Sequence, residues 1–480
     1  MAVVKLRAHW FFDDLLERLE DRRVSRARVA DVLTRLMIAA PAPLSQSEIV
    51  RGERLLRPYE LTADSVSRAT AALNSLKLVT PQAAQRVGAG RPSRPLRLGS
   101  PSWAMIGVRV GHEAGHTAYL QVLATGLDGQ PLDIPGFQSP DDTTAVRAEL
   151  PAGADLVETM AQVIEALCAQ PSMRARYILG VGVEVSGHVF EGVIITASSV
   201  EMNGVKLAPD LSERLGALAE RLSRLVRRLN PFPVIVDNDV NVLGVLQTYR
   251  PDFPELDLAV IGVFDDGVGS ALILGGLVYR GGRGMAGEIG HLQVRLDPDD
   301  IAGDVGPGGF AADCRCGRPS HLDCYATPRR ILAHLDETDF DKVADLDGHR
   351  NDRLTTAGQA FHTGGKALGI GIAGLIDLIN PARVLVLVPP ALYEPRAGSA
   401  AEIYWRATEE TIRRHVFSDA ADGTIVVRRP ITPAQRDYEG ARAAAIRVLD
   451  SFLQHAKRQC ECYRPRARPA DDPAEFAPTA

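Results

Sequence analysis

The sequence predicts an α/β protein in which a small N-terminal winged helix-turn-helix domain precedes two α/β lobes that enclose a cleft. Three observations support this fold class. Short amphipathic helical segments, followed by a turn-rich pair of short strands, fill the first hundred residues. A stretch rich in Pro and Ser over 91–103 then ends that pattern. Beyond it, apolar strands that lead into helices recur twice, as expected for two lobes around a cleft.

Composition limits the possible classes of protein. A chain of 480 residues is long enough for two or three domains with cores of normal size. No apolar run approaches the roughly 20 residues that span a bilayer, and the N-terminus turns acidic and amphipathic too early for a signal peptide. We therefore expect a cytoplasmic protein without a membrane partner, whose six cysteines favour metal binding over disulfides.

The charge is distributed unevenly along the chain. Residues 1–100 contain 17 Lys and Arg against 10 Asp and Glu, a charge of +7. The net charge of the whole chain is −6, so the remaining residues carry −13. A basic end on an acidic body indicates an anionic partner for that end, and nucleic acid is the first candidate. A solvated, Arg-rich helical face would give the same charge pattern.

Helical periodicity begins close to the N-terminus. Residues 10–22 form an amphipathic segment, and we assign 1–24 to an N-terminal helix. The DNA-binding domain is placed at 25–98. In its first helix, over 25–40, apolar side chains recur at helical spacing at Val29, Val32, Leu33 and Leu36.

Two further helices of this domain begin at cap residues. Ser45 with Glu48 forms a capping box, and Thr62 is a suitable N-cap for a helix over 61–79. In a winged helix-turn-helix module the N-terminal polar residues of the third helix reach base edges. The predicted DNA contacts are Ser65, Ser67 and Arg68 on this helix and Arg86, Arg91 and Arg94 on the wing. A three-helix domain for protein contacts is the alternative.

The rest of the chain supplies the elements of the two lobes. The segments predicted are three strands in hairpins over 103–132, a strand over 177–189, a strand, polar turn and helix over 233–249, a hairpin over 256–282, a Gly-rich helix and strand over 365–388, and a closing helix over 438–458.

One loop carries the clearest chemical signal. "CRCGRPSHLDC", residues 314–324, places three cysteines and a histidine within one compact stretch. Cys-x-Cys in such a loop is typical of a metal site, since thiolate and imidazole are both good ligands for tetrahedral zinc. The residues alone leave open whether His321 or Cys324 belongs to the ligand set.

The motifs together resemble the ROK family, named for repressors, open reading frames and kinases. The matching stretches are "VDNDVNV" (236–242), "GVGSALILGGLVYRGGRGMAGEIGHLQV" (267–294), "CRCGRPSHLDCYAT" (314–327) and "GIAGLIDLINPARVLVL" (371–387). The resemblance covers the chain between about 25 and 455. It implies the actin-like, hexokinase-like pair of ribonuclease-H-type lobes. We place these at 99–238, completed by the helix 438–458, and at 239–437 with the zinc loop, followed by a disordered tail at 463–480.

The resemblance also implies ligand residues. The sugar-binding positions of the family correspond to Asn238, Asp239, Glu288, His291 and Asp323. Asp239 stands at the position of the kinases' catalytic base, while Asp323 stands where the family usually has Glu. The family's zinc ligands correspond to His291, Cys314, Cys316 and His321, which leaves Cys324 outside the set. For Asn238 and Asp239 alone, an Asx turn that caps the following helix is the simpler reading.

The nucleotide-binding elements of ROK kinases are altered here. The Asp-x-Gly-Gly-Thr loop corresponds to "RVGHE" (109–113), the second phosphate loop to "DDGVG" (265–269), and the late Gly-Gly to "VPP" (388–390). Acidic side chains repel phosphates, and proline offers no N–H. We therefore expect no ATP binding and no catalytic residue. The loop 297–310 is longer than usual and is interpreted as a neutral insertion.

The function implied is a sugar-responsive regulator that represses genes of carbohydrate uptake or metabolism. Its expected partners are a double-stranded DNA operator and a small carbohydrate or sugar phosphate, and it is expected to form a homodimer or homotetramer. The alternatives are an active sugar kinase with an attached DNA-binding domain, or a constitutive DNA-binding protein tuned by a protein partner.

Overall fold

The structure is a computed structural model. It describes residues 25–51, 61–84, 93–112, 118–135, 145–151, 153–174, 176–197, 202–217, 227–228, 232–250, 255–265, 267–296, 310, 313–417 and 423–458. The predicted N-terminal helix, most of the wing with Arg86 and Arg91, Asp266, the loop 297–309 and the tail lie outside the described residues.

Three helices and a two-stranded sheet form the N-terminal domain. Their bounds are α1 (Arg26–Ala39), α2 (Gln46–Arg51), α3 (Ala63–Ser75), β1 (Val79–Pro81) and β2 (Leu96–Leu98), with β1 and β2 antiparallel. The capping box is confirmed, because the Ser45 amide donates to Glu48 Oε2 at 2.7 Å and the Glu48 amide donates to Ser45 Oγ at 3.2 Å. Thr62 likewise caps α3, accepting from the Ser65 amide at 3.2 Å.

The first lobe is built on a six-stranded sheet. Its elements are β3 (Trp103–His112), β4 (Ala118–Thr125), β5 (Ala145–Leu150), α4 (Leu156–Cys168), β6 (Tyr177–Val185), β7 (His188–Phe190), β8 (Val193–Ala197), β9 (Met202–Val205), α5 (Leu207–Ala217), β10 (Arg227–Arg228) and β11 (Val234–Asn238). The order is β10-β6-β3-β4-β5, and β11 also pairs with β6. The prediction of a third strand within 103–132 was wrong, since 126–132 forms a turn with one isolated bridge at Thr125–Pro131.

The second lobe is built on a five-stranded sheet of order β14-β13-β12-β17-β18. Its elements are α6 (Asp239–Thr248), β12 (Leu258–Val263), β13 (Val268–Leu274), β14 (Leu277–Tyr279), two 3₁₀ turns (Ile289–His291 and Leu322–Cys324), α7 (Pro328–Leu335), α8 (Phe340–Ala344), β15 (His349–Arg350), β16 (Arg353–Leu354), α9 (Thr356–Ile379), β17 (Arg383–Val388), α10 (Pro390–Tyr393), α11 (Ala400–His415) and β18 (Ile425–Pro430).

The two sheets repeat one topology. In each sheet, the first three strands in sequence order are paired antiparallel in that order. Two later strands extend the sheet on the free side of the first strand and run parallel to it. The carboxyl ends of parallel strands are where α/β sheets bind ligands. The end of β11 meets the second lobe, where Arg280 Nε donates to Asp237 Oδ2 at 2.9 Å. The predicted pair of α/β lobes is confirmed.

The chain closes with α12 (Pro433–Arg458), which returns to the first lobe. A Cβ added to Gly107 or Gly182 would lie 1.8 or 1.7 Å from the carbonyl oxygen of Ala441 or Ala444. Only glycine permits this close approach of helix and sheet.

The N-terminal domain shares a core with the lobes. The buried faces of α1 and α3 belong to one apolar cluster with Trp103 and with Leu449, Phe452 and Leu453 of α12. The indole of Trp103 also donates to the Leu76 carbonyl at 2.9 Å. A movement of α12 therefore reaches the N-terminal domain directly.

Candidate functional site

The junction of β11 and α6 places Asn238 and Asp239 at the cleft. Asn238 caps α6, with Oδ1 accepting from the amides of Val240 at 3.0 Å and Asn241 at 3.3 Å. Its amide nitrogen donates to the Gly187 carbonyl at 3.0 Å. The capping role is therefore real, and it fixes the side chain at the start of the helix.

Asp239 is buried and paired. Its Oδ2 accepts from Ser186 at 2.8 Å and from the Arg436 guanidinium at 2.7 Å. Burial would raise its pKa, but Arg436 and Arg109 outweigh that effect and hold the pKa below the ordinary value. The carboxylate is ionised and already neutralised, which makes it a weak proton acceptor for catalysis.

The other acidic side chains predicted for the sugar site gather beside Asp239. Glu288 is half-buried, and burial raises its pKa, partly offset by His291. The carboxylates of Asp239 and Asp323 lie close enough to raise it further. Asp323 Oδ1 accepts from the Val268 amide at 2.8 Å. The cleft thus combines carboxylates and an imidazole, groups that can bind sugar hydroxyls.

The predicted metal ligands meet in one cluster. One donor atom from each of His291, Cys314, Cys316 and His321 lies within 4.8 Å of the other three. His291 Nδ1 lies 3.4 Å from His321 Nδ1 and 3.4 Å from Cys314 Sγ, and Cys316 Sγ lies 3.3 Å from His321 Nδ1. Bonds of roughly 2.0 Å to nitrogen and 2.3 Å to sulfur give tetrahedral edges of roughly 3.3–3.8 Å. The three separations above match these edges, so this group of donors could hold a metal ion.

Cys324 lies outside this cluster. Its side chain is fully buried in the core of the second lobe with Leu322 and Tyr325. The 3₁₀ turn Leu322–Cys324 separates it from His321 and points Asp323 toward Val268. The arrangement matches the ligand set that the family resemblance implied.

A buried ion network lies at the end of β3, in the stretch that the family resemblance aligns with the first phosphate loop. Arg109, at the start of "RVGHE", pairs with Glu184 and with Asp437, whose Oδ1 accepts from its Nε at 2.8 Å. Tyr119 donates to Asp437 Oδ2 at 2.6 Å. Burial and Asp437 raise the pKa of Tyr119 above its ordinary value. These groups pair with one another at the end of β3, although Glu184 Oε2 has no hydrogen-bond partner among the described residues.

The other two stretches that the family resemblance aligns with nucleotide-binding elements lie in the second lobe. Asp265 is exposed between β12 and β13, while Pro389 and Pro390 begin α10.

Arg436 is a residue of the site that the sequence reasoning did not predict. Its guanidinium stacks on Phe264, 3.7 Å from the ring centroid, and donates to Asp239 Oδ2. The only local signal here marks the start of α12, since Thr432 and Gln435 form a capping box just before Arg436, and it does not indicate a contact with Asp239.

The side chains predicted to contact DNA differ in their exposure to solvent. Ser67, Arg68 and Arg94 are exposed, and Arg68 forms an ion pair with Asp64 on the outer face of α3. Ser65, by contrast, is 2% exposed, and its hydroxyl donates to the Thr62 carbonyl at 2.8 Å. The prediction that Ser65 contacts bases was wrong, because its side chain faces the core with Ala69 and Ala72.

No helix among the described residues has the length and apolar character needed to cross a membrane.

The chain is similar to proteins of a known family. The model of the ROK family matches residues 143–388. A putative xylose repressor from Caldicellulosiruptor sp. (strain Rt8B.4) is 26% identical over 273 residues, 53% of this chain and 58% of the relative. A xylose repressor from Caldicellulosiruptor bescii is 22% identical over 390 residues, 77% of this chain and 85% of the relative. The chain thus spans little more than half the length of the first of these relatives.

Two solved structures share the fold. A ROK family transcriptional regulator, described as a homologue of the E. coli MLC protein, superposes with a TM-score of 0.62 at 19% identity, over 90% of this chain and 98% of that one. A ROK hexokinase from Thermus thermophilus superposes with a TM-score of 0.50 at 21% identity, over 72% of this chain and 99% of that one. The expected hexokinase-like pair of lobes is confirmed.

Proposed function

The chain belongs to the ROK family, and from that premise we propose that it is a sugar-responsive, DNA-binding transcriptional repressor. One observation carries the proposal. A winged helix-turn-helix domain is packed onto α12, and the first turns of α12 carry Arg436 into a cleft that gathers the acidic groups around Asp239. The two relatives described as xylose repressors support a carbohydrate effector and genes of carbohydrate uptake or metabolism as targets.

The effector site consists of Asn238, Asp239, Glu288, His291 and Asp323. Their carboxylates and amide can accept and donate hydrogen bonds to sugar hydroxyls. Asp323 is one methylene shorter than the Glu usual in the family, and its Oδ1 is held by the Val268 amide. This shortening should widen the pocket at that corner. The ligand is a small carbohydrate or a sugar phosphate.

Phosphoryl transfer is not part of the proposed function. A kinase needs backbone amides around the phosphates, a carboxylate for Mg²⁺ and a free base. Here Arg109 is locked to Glu184 and Asp437, and Arg436 occupies Asp239. The Asp265 side chain is exposed, and Pro389 and Pro390 stand where the family resemblance places the late Gly-Gly pair. The domain therefore binds its effector without turning it over.

Zinc is the proposed cofactor, held by His291, Cys314, Cys316 and His321. The ion would supply a structural cross-link between the "GH" turn and the cysteine loop. Gln293, two residues beyond His291, forms an isolated β-bridge with His321, so the backbone already holds the segments that carry the two histidines side by side. Asp323, two residues beyond His321, would thereby be held at the proposed effector pocket.

The DNA contacts proposed are Ser67 and Arg68 on α3 and Arg86, Arg91 and Arg94 on the wing. Arg68 must exchange Asp64 for a base or phosphate when it binds. The DNA-binding domain is assigned to 25–98 and the lobes to 99–238 and 239–437, with α12 completing the first lobe. Two such domains in a homodimer or homotetramer would read two half-sites of an operator.

The experiment is a genomic selection with the purified full-length chain, followed by calorimetry with a panel of monosaccharides and their phosphates. We expect recovery of defined DNA fragments, binding of at least one sugar, and no binding of ATP. ATP hydrolysis coupled to any sugar would instead establish the kinase. DNA recovery with no sugar bound would favour a constitutive regulator tuned by a protein partner.

A further inference from the structure

Arg436 holds Asp239 across the cleft between the two lobes. It lies in the first turn of α12, and its Nη2 donates to Asp239 Oδ2 at 2.7 Å. Its guanidinium carbon lies 3.7 Å from the centroid of the ring of Phe264, which follows β12. One side chain of α12 therefore contacts both the start of α6 and the end of a strand of the second lobe.

The next residue of α12 fixes the same turn to the first lobe. Asp437 Oδ1 accepts from Arg109 Nε of β3 at 2.8 Å, and Asp437 Oδ2 accepts from the Tyr119 hydroxyl of β4 at 2.6 Å. Asp437 thus anchors the first turn of α12 to one sheet while Arg436 reaches the other lobe. The two neighbouring side chains fasten the lobes together beside the effector site.

Asp239 Oδ2 has no acceptor capacity to spare while Arg436 is in place. This oxygen accepts from Arg436 and, at 2.8 Å, from Ser186 Oγ. The other oxygen, Oδ1, accepts from the Val240 amide at 2.8 Å. Each carboxylate oxygen accepts about two hydrogen bonds. A sugar hydroxyl that donates to Oδ2 must therefore replace one of the two donors already there.

Arg436 is the donor that can leave. The backbone sets Ser186 beside Asp239, because each follows directly on the last pair of the β6–β11 register. Arg436 instead arrives on a long side chain from another helix, and 17% of that side chain is exposed. Its Nε is buried and has no hydrogen-bond partner among the described residues, so its position on Asp239 leaves one donor unsatisfied.

We propose that Arg436 is a latch between the lobes and that a sugar hydroxyl displaces it from Asp239 Oδ2. In the sugar-free chain the latch fixes the angle between the lobes. The N-terminal domain senses this angle, because α1 and α3 share one apolar cluster with α12, with Leu243 of α6 and with Phe264. Arg436 is thus a positioning residue through which the sugar changes DNA affinity. This inference rests on the proposed function, since it takes the cleft as the sugar site.

The first test measures sugar binding to the full-length chain by calorimetry, with D-xylose, D-glucose, N-acetyl-D-glucosamine and glucose 6-phosphate as probes. Arg436→Gln removes the competitor for Asp239. It should tighten binding about tenfold, because one hydrogen bond between charged groups no longer has to be broken. Damage to the fold would weaken binding instead. Arg436→Lys keeps the positive charge and should lie closer to the native affinity.

Arg442→Gln is the matched control for sugar binding. Arg442 is also a half-buried arginine of α12, but it donates to the Gly129 carbonyl at 2.8 Å and to Glu439 at 3.1 Å. Its loss removes the same charge from the same helix without touching Asp239. The sugar affinity of this variant should equal that of the native chain.

DNA affinity is the second readout, on a fragment obtained by genomic selection with the native chain. Without sugar, Arg436→Gln should bind this DNA as the sugar-loaded native chain does, and added sugar should then change its DNA affinity little. Unchanged or weaker sugar binding by Arg436→Gln would overturn the inference and leave the proposed function standing. Tighter sugar binding with a native DNA response would also overturn it, because Arg436 would then compete with the sugar without positioning the lobes. Binding of no probe by the native chain and the variant alike would contradict the proposed function, and the inference with it.

Discussion

Replacing His321 with Ala should remove the metal, whereas replacing Cys324 with Ala should not. His321 provides one of four donors, with Nδ1 at 3.3 Å from Cys316 Sγ and 3.4 Å from His291 Nδ1. Loss of one ligand in four should weaken zinc binding by about a hundredfold or more, which is about 3 kcal/mol. Because zinc at the proposed site would bind the folded chain only, stability at saturating zinc should fall by a similar amount.

Cys324→Ala serves as the matched control because it changes stability without touching the metal. Its side chain is fully buried in the core of the second lobe. Removing the sulfur should cost about 1 kcal/mol, by analogy with the deletion of one buried methylene. The variant should therefore unfold at lower denaturant yet keep its metal and its sensitivity to chelator.

The assay is metal analysis by mass spectrometry on both purified variants, with urea unfolding before and after chelator. The native chain and Cys324→Ala should contain about one zinc per chain, as one complete site requires. His321→Ala should contain little and should not respond to chelator. If Cys324→Ala lost the metal while His321→Ala retained it, the assignment of ligands would be refuted.

Three further predictions follow from the charge networks and the effector site. Arg109→Ala should destabilise the chain by about 3–5 kcal/mol in urea unfolding, since it leaves Glu184 buried and unpaired, whereas Arg350→Ala at an exposed position should change it little. Asp237 is buried, which would raise its pKa, but Arg280 and Arg447 lower it from 3.8 to about 2. Its pairing therefore stabilises the folded state above pH 4 and is lost, by about 2 kcal/mol, as the pH falls from about 4 to about 2. Asp237→Asn should flatten that part of the pH profile, and an unchanged profile would contradict the assignment. Glu288→Gln should weaken sugar binding about tenfold in calorimetry by replacing one ionised acceptor, and unaltered affinity would exclude Glu288 from the site.

Elements with local signals could be predicted from the sequence. The capping box of Ser45 and Glu48 and the N-cap Thr62 are made by residues close in sequence, so the pattern suffices to find them. The helix cap at Asn238 also follows from its neighbours. The buried register of α3 was available too, because Ser65 lies four residues before Ala69 on the same face.

Contacts across long sequence separations could not be predicted in this way. Arg436 meets Asp239 only because α12 returns to the cleft after nearly two hundred residues, and the sequence pattern does not encode that distance. The same holds for Arg109 with Asp437. The ligand cluster was accessible only through a family resemblance, since spacing alone did not separate His321 from Cys324. The third strand predicted in 103–132 was wrong because 126–132, Gly-Leu-Asp-Gly-Gln-Pro-Leu, has the Gly, Asp and Pro content of a turn and no apolar alternation.

The effector role of the cleft can be measured by fluorescence anisotropy of the full-length chain on a DNA fragment obtained by genomic selection, titrated with the sugar panel. We expect one sugar to shift the DNA affinity of the native chain, and Glu288→Gln to need about tenfold more of that sugar for the same shift. We expect ATP to have no effect. If no sugar shifted the affinity, or if Glu288→Gln responded like the native chain, the effector role of this cleft would be contradicted.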